Sequence, residues 1–154
     1  MAGFQPVVFR LDNEKYGLDI STVNAIEHNQ SVVRVPNAAA NIKGIMNLRG
    51  EVVPVYDLRS KFNTPNREPS GVTEYIIINL EKNKIAIEVD SVEEIHTLDT
   101  AEMIEMPLIA KGEGVEYFEN IAKIGNDLII IVNPYKLLSE AEQKAVDKLI
   151  EDTK

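Results

Sequence analysis

The fold is decided by a stretch near the start of the chain, Val7–Ile26, which reads VVFRLDNEKYGLDISTVNAI. Val7–Leu11 is rich in residues that favour β-strands, and Tyr16–Ile20 alternates large apolar residues with small or polar ones. The polar segment between them, Asp12–Lys15, is typical of a turn. This stretch therefore predicts a β-hairpin with one buried face.

The same pattern occurs a second time, without a gap, in Ile76–Ile95. Each large apolar residue of the first stretch aligns with an apolar residue of the second, and the turn aligns with Glu81–Lys84. Leu48–Leu58 and Ile124–Pro134 also align, because each contains a glycine-bearing turn followed by a strongly apolar strand. Chance matches are common among β-proteins, but one of this length with the turn in the same place favours an internal duplication. We therefore expect two related β-units of about five short strands each, as barrels or sandwiches, that pack across a shared apolar seam.

A polar segment with two prolines, Asn63–Gly71, divides the halves in sequence, at about residues 7–62 and 74–138 of a single domain over 1–154. The division need not hold in space, since the first strands could be exchanged between the units. The second half is expected to contain a longer loop, roughly Thr97–Phe118.

A different pattern follows the second half. Ser139–Glu142 has the sequence of a capping box, in which the serine and the glutamate three residues later each bond the other's backbone N–H. Apolar residues then recur at helical spacing, which predicts a C-terminal amphipathic helix at about 139–151. Packing on the β-core is the favoured role of this helix, and docking a partner is the alternative.

Composition excludes several classes of function. The 154 residues carry a formal net charge of −9, which argues against nucleic acid and anionic membrane surfaces as partners. Without cysteine there are no disulfides, thiolate nucleophiles or cysteine-ligated metals. The longest apolar run, Leu128–Val132, is too short to span a bilayer, and the start lacks a secretory signal, so we expect a cytoplasmic protein without membrane insertion.

A search for catalytic chemistry finds little. The two histidines, His28 and His96, have no metal-ligand spacing, and the chain contains no GxSxG, GxxxxGK or GxGxxG motif. Glu93 and Glu94 are adjacent on an expected strand, so their side chains would point to opposite faces and would not converge on one bond. The sequence thus favours a binding module with no catalytic residues, no metal and no cofactor.

The turn Asn47–Gly50 poses a separate question. Gly50 supplies the conformational freedom that a tight turn needs, and Asn47 can bond the turn backbone. Neither role requires Arg49. This arginine either pairs with a nearby carboxylate or anchors a partner, since arginine is enriched at binding hot spots. The carboxylates considered as its partner are Asp57, Glu27 and Asp19.

The segment Ile42–Arg59, IKGIMNLRGEVVPVYDLR, resembles the signature of the CheW family of bacterial chemotaxis coupling proteins. Tyr16–Glu27, YGLDISTVNAIE, resembles the early segment of that family, and Asp127–Leu138 resembles its closing strand and helix lead-in. The resemblance covers about Val7–Leu138. It implies a mainly β fold of two small five-stranded SH3-like β-barrels sharing a hydrophobic core, which agrees with the duplication, and the C-terminal helix would follow.

The resemblance also implies a function. Members of the family are non-enzymatic adaptors that couple transmembrane chemoreceptors, the methyl-accepting chemotaxis proteins, to the histidine kinase CheA. The cytoplasmic hairpin tip of the receptor docks near the groove between the barrels, and the regulatory domain of the kinase binds barrel against barrel. Such a protein is cytoplasmic and is recruited to receptor arrays at the inner face of the membrane. The alternative is a CheW-like domain of a larger signalling protein, of the CheV type or a kinase regulatory domain. We expect the stand-alone adaptor, because the chain begins at a methionine just before the first strand and ends soon after the helix.

The receptor-facing positions of the family map onto this chain, whereas the kinase-binding residues remain unassigned. The acidic residue that many members carry, able to pair with the signature arginine, is replaced by Ala25. Glu27 shares a strand face with Ala25 and would substitute only if a bulge or turn brought it round. The apolar members of the set suit a helical hairpin tip, and its two cations would flank the groove. The implied receptor-binding residues are Ile20, Val23, Asn24, Lys43, Gly44, Asn47, Arg49 and Val52.

Overall fold

The computed structural model of the chain describes residues 5–28, 31–36, 38–39, 41–62, 73–80, 82–95, 103–105 and 117–152. The linker 63–71, most of the loop 97–118, and His96 lie outside the described residues. The described part is mainly β, with two sheets and a C-terminal helix, which confirms the predicted fold class. None of its helices is both long and apolar enough to cross a membrane.

The elements follow one another in the same order in each half of the chain. The first half contains β1 (Pro6–Leu11), β2 (Glu14–Asp19), a 3-10 turn (Ile20–Thr22), β3 (Val23–His28), β4 (Val32–Arg34), β5 (Ile42–Leu48), β6 (Glu51–Asp57) and α1 (Leu58–Lys61). The second half contains β7 (Glu74–Asn79), β8 (Lys84–Val89), β9 (Ser91–Ile95), β10 (Met103–Glu105), β11 (Phe118–Ile124), β12 (Asp127–Val132) and α2 (Pro134–Leu137), and α3 (Glu140–Asp152) follows.

The first hairpin forms as predicted, with a tighter turn. Leu11 pairs with Glu14, so only Asp12 and Asn13 form the turn instead of four residues. Strand β2 ends at Asp19, because its side chain accepts a hydrogen bond from the Ser21 N–H at 3.1 Å and caps the 3-10 turn. The last residue of the predicted second strand, Ile20, therefore lies in this turn.

The two halves exchange their first hairpins. Sheet A has the strand order β10–β11–β12–β2–β1–β9, and sheet B has the order β3–β7–β8–β6–β5–β4. Hairpin β1–β2 thus joins the second half through the parallel pair β12–β2, and hairpin β7–β8 joins the first half through β6–β8. The exchange that the sequence left open therefore occurs. Each sheet has six strands where we expected five, and each includes a three-residue strand, β4 or β10, at one edge.

Sheet B is curled into a barrel. Its edge strands β3 and β4 are joined by residues 29–31 alone. Four steps of extended chain span at most about 14 Å, whereas six strands laid flat span about 24 Å. The two edges must therefore approach each other. Ala25 of β3 and Val32 of β4 accordingly pack against one interior cluster, whose buried members are Met46, Leu48, Val53, Val55, Tyr75, Ile77 and Ala86.

A larger apolar cluster lies between the sheets. It contains Phe9 and Leu18 from the hairpin in sheet A together with Ile76 and Ile87 from the hairpin in sheet B. Successive strand residues point to opposite faces, so Ile77 packs inside the barrel while Ile76 faces the shared core. The predicted shared core is therefore present, and burial of both faces explains the nearly continuous apolar sequence of β7.

The C-terminal helix α3 begins as its sequence predicts. The Ser139 N–H donates to the Glu142 carboxylate at 2.8 Å, and the Glu142 N–H donates to the Ser139 hydroxyl at 3.1 Å. The Glu142 side chain also accepts hydrogen bonds from Asn41 Nδ2 (2.8 Å), Tyr56 Oη (2.8 Å) and Lys61 Nζ (3.1 Å). The helix packs on the β-core, as favoured from the sequence.

This carboxylate predicts an acid-sensitive contribution to stability. Burial by itself would raise the pKa of Glu142, but the hydrogen bonds from Ser139, Asn41, Tyr56 and Lys61 outweigh it and lower the pKa. A lowered pKa stabilises the fold above the pKa of the unfolded chain, about 4.3, and the stabilisation is lost as the pH falls through the folded pKa. Urea unfolding between pH 3 and 7 should show that the stability difference between the native chain and Glu142→Gln is full at neutral pH and shrinks below about pH 4.3. A difference independent of pH would contradict the assignment.

Candidate partner-binding surface

The signature turn joins β5 to β6 with two residues, Arg49 and Gly50. Leu48 pairs directly with Glu51, and φ is +53° at Arg49 and +88° at Gly50, as in a type I′ turn. The Asn47 side-chain oxygen accepts a hydrogen bond from the Gly50 N–H at 2.8 Å. Asn47 therefore bonds the turn backbone and Gly50 adopts the positive φ, as the sequence predicted. Leu48 is a core residue that packs inside the barrel of sheet B.

Arg49 occupies a conformation that costs free energy. The left-handed region is unfavourable for residues with a side chain by about 1–2 kcal/mol, and glycine avoids the cost. The matching turn between β11 and β12 has Gly125 at the same position, with φ +61°. The Arg49 side chain is 75% exposed, so it adds no core packing in return. Residues held in such conformations cluster at functional sites, which indicates a role outside the fold.

Arg49 pairs with Glu27, one of the three carboxylates considered. Its guanidinium donates to the Glu27 carboxylate at 2.8 Å. Asp57 instead caps α1 by accepting from the Ser60 N–H, and Asp19 caps the 3-10 turn. We expected Glu27 to reach Arg49 only if a bulge or turn brought it round. The bulge is wrong, because the register shift in β3 lies before Ala25 and pairing from Ala25 to Glu27 is regular. Closure of the barrel brings β3 to the turn.

The Arg49–Glu27 pair therefore places two of the implied receptor-facing segments side by side. Strand β3 carries Val23, which packs against the shared core, and Asn24, which is exposed. On the other side of the pair, Asn47 and Val52 are directly opposite each other on β5 and β6. Arg49, Asn47 and Val52 thus share one region at the end of the β5–β6 hairpin, and Asn24 and Val23 lie three and four residues along β3 from Glu27. Ile20 is half-buried in the 3-10 turn that leads into β3.

Lys43 and Gly44 lie apart from this region. Lys43 precedes Arg49 by six residues on an extended strand, a separation of about 20 Å. Its Nζ pairs with Glu88 at 2.8 Å, so both cations of the implied set are held by carboxylates. Gly44 is buried, and a Cβ there would overlap the Val33 backbone. Because Gly44 has no side chain, β4 can approach β5 closely at this position.

The sequence analysis did not predict two features of the surface. Val33 of β4 and Ile104 of β10 are 63% and 47% exposed, and each is the middle residue of a short edge strand. A cavity of about 800 Å³ lies between the β7–β8 turn, α2 and α3, where Tyr135 is exposed. Its walls come from segments far apart in the chain, so no local pattern marks them.

Of the side chains that could suggest catalysis, Glu93 and His28 are described and each has an ionic partner. Glu93 pairs with Arg10 at 3.6 Å and Lys15 at 3.2 Å, and the Glu94 side chain lies outside the described residues. His28 Nδ1 lies 2.8 Å from the Glu74 carboxylate. Within the described ranges, no group of three or more histidine, aspartate or glutamate residues is placed to hold a metal ion.

Comparison with known proteins agrees with the geometry. A family model described as a CheW-like domain matches residues 5–142. The chemotaxis protein CheW of Klebsiella aerogenes is 34% identical over 147 residues, covering 96% of this chain and 89% of that protein. CheW of Treponema pallidum is 31% identical over 150 residues, covering 95% and 88%. The crystal structure of the scaffolding protein TtCheW from Thermoanaerobacter tengcongensis is similar with a TM-score of 0.80 and 32% identity, covering 88% and 92%. The chain therefore belongs to the CheW family.

Proposed function

We propose that the protein is a non-enzymatic chemotaxis adaptor that couples transmembrane chemoreceptors to the histidine kinase CheA. Family membership over residues 5–142 supports the class of function. The observation that carries the proposal is Arg49, an exposed arginine kept at a positive φ where the matching turn has glycine. The scaffold gains no packing from this side chain, and a partner accounts for it.

The receptor surface of the proposal centres on the region around the Arg49–Glu27 pair. Half-buried Val23 and Val52 supply apolar contact, and Asn24 and Asn47 are exposed polar neighbours. Such a surface suits the amphipathic tip of a helical hairpin. The full proposed set keeps the outlying positions as well: Ile20, Val23, Asn24, Lys43, Gly44, Asn47, Arg49 and Val52.

We place the proposed contact with the kinase at the edge strands β4 and β10 and not at the Arg49–Glu27 pair. Edge strands with exposed apolar residues invite pairing with another chain, and natural proteins usually protect them. Val33 is an exposed apolar residue on β4, at one edge of sheet B, and Ile104 is one on β10, at one edge of sheet A. These edges support a barrel-against-barrel contact with the regulatory domain of CheA. The protein would then act at receptor arrays on the cytoplasmic face of the membrane, without cofactor or nucleic acid.

Sedimentation of the full chain with two separate partners tests the proposal. A chemoreceptor signalling fragment and a CheA regulatory domain should each form a complex with the chain, and all three should form a larger one. Simultaneous binding is expected because the two proposed surfaces use different residues. Failure to bind either partner would defeat the proposed function, and binding that is mutually exclusive would defeat the separation of the surfaces.

A further inference from the structure

The C-terminal helix connects the two sheets. It follows β12 and α2, which continue from sheet A, yet the side-chain hydrogen bonds of its Glu142 and Asp147 reach sheet B and the segments joined to it. Glu142 accepts from Tyr56 of β6 and from Lys61 of α1. Five residues later, the Asp147 carboxylate accepts a hydrogen bond at 2.5 Å from Nδ2 of Asn83, which lies in the β7–β8 turn. Helix α3 therefore joins the part of the chain that leaves sheet A to the elements of sheet B.

The apolar side of α3 covers the core that both sheets share. Val146 is 1% exposed and belongs to the cluster formed by Phe9 of sheet A and Ile76 of sheet B. Leu149 and Ile150 pack against the same cluster. Because this core is the contact between the sheets, α3 is placed to influence how they sit on each other.

One buried charge fixes the helix in this place. The Glu142 side chain is 7% exposed, and its four donors come from the helix cap, the segment before β5, strand β6 and helix α1. A buried carboxylate satisfied by several donors is strongly held, and removing its charge leaves donors without their acceptor. No second carboxylate of α3 within the described residues is buried in this way.

We infer that α3 acts as a strap, meaning a helix that fixes the relative placement of the two sheets. The buried Glu142 carboxylate holds this helix in place. This inference rests on the proposed function and deepens it. A receptor tip seated near the groove between the barrels contacts both units, so its affinity depends on their placement. Glu142 would then act as a positioning residue for that groove without touching the partner, whereas the Arg49–Glu27 pair lies wholly within sheet B.

Hydrogen exchange of the full chain, with receptor-fragment binding measured in parallel, tests the strap. Glu142→Gln is compared with Glu140→Gln, which removes an exposed carboxylate from the same turn of α3. Glu142→Gln should speed amide exchange in α3 and along β6 at least tenfold, leave the β5–β6 turn as it is, and weaken receptor binding about tenfold. Glu140→Gln should behave like the native chain.

The outcomes separate this inference from the proposed function. Unchanged exchange in α3, or acceleration spread evenly over both sheets, overturns the strap. Binding that is weakened by Arg49 variants but not by Glu142→Gln also overturns it and leaves the proposed function standing. Binding that responds to neither residue overturns the strap and removes Arg49 from the proposed surface, whereas a native chain that does not bind the receptor fragment overturns the proposed function itself. If Glu142→Gln does not fold, Asp147→Ala removes the second tether, and faster exchange confined to α3 with weaker binding is then the expected result.

Discussion

Replacing Arg49 with asparagine should weaken binding to a chemoreceptor signalling fragment by about tenfold to a hundredfold while the fold keeps its stability. An arginine that anchors an interface typically contributes about 2 kcal/mol or more, and each 1.4 kcal/mol changes affinity tenfold. The Arg49 guanidinium is exposed at the end of the β5–β6 hairpin and is held in place by Glu27. Asparagine preserves a polar side chain but cannot reach a partner in the same way.

Stability should stay level or rise slightly, for a reason that lies in the backbone. Asn-Gly is a preferred pair for a type I′ turn, and asparagine tolerates a positive φ better than arginine does. Relief of a conformational cost of about 1 kcal/mol is set against loss of an exposed ion pair worth about 0.2–1 kcal/mol. A variant that binds worse without unfolding more easily would identify Arg49 as a residue retained for its partner.

Urea unfolding and titration calorimetry with the receptor fragment give the two readouts. Lys84→Asn is the matched control, because it also removes a cation that forms an exposed ion pair near this hairpin, with Glu51 at 3.1 Å. The control should leave receptor binding within about twofold, since single exposed pairs contribute little. Equal losses in the two variants would mean that net charge, and not Arg49, governs docking. Native affinity in Arg49→Asn would remove this residue from the proposed surface.

Local patterns predicted much of the fold, because the interactions they report are local. The first hairpin follows from alternation along fewer than 20 residues, and the capping box of α3 from the spacing of Ser139 and Glu142. The gapless alignment of Val7–Ile26 with Ile76–Ile95 also placed the strands of the second half, since β7, β8 and β9 fall where β1, β2 and β3 predict them.

Local patterns could not predict features that depend on contacts between distant parts of the chain. Exchange of the hairpins depends on the parallel pairs of Tyr16 with Ile130 and of Ala86 with Val55, and alternation reads the same whether or not strands are exchanged. Pairing of Arg49 with Glu27 depends on closure of the barrel, which no residue spacing encodes. The resemblance to a family supplied the candidate surface but could not separate residues that contact a partner from those that the fold itself needs.

Gly44 is the clearest case of that ambiguity, and Gly44→Ala should lower the free energy of unfolding by about 2–3 kcal/mol. A Cβ at this position would overlap the carbonyl group of Val33 on the neighbouring strand, so β4 or β5 must move. Gly17→Ala is the matched control. Gly17 is also buried in a strand without a positive φ, but the nearest atom to its Cβ, at 2.9 Å, is the Cδ1 end of Ile131. The end of the Ile131 side chain can rotate away, and Pro6 Cβ, at 3.2 Å, need shift only slightly, so the control should cost about 1 kcal/mol.

Urea unfolding of both variants, followed by binding assays under conditions where each is folded, decides the role of Gly44. Because the backbone that must yield carries exposed Val33, displacement of β4 should weaken binding of the CheA regulatory domain more than binding of the receptor fragment. The opposite result, native stability with receptor binding lost, would show that Gly44 contacts the receptor directly, as the family resemblance implies. A stability loss no larger than that of Gly17→Ala would show that β4 adjusts at little cost, and the steric explanation for this glycine would then be wrong.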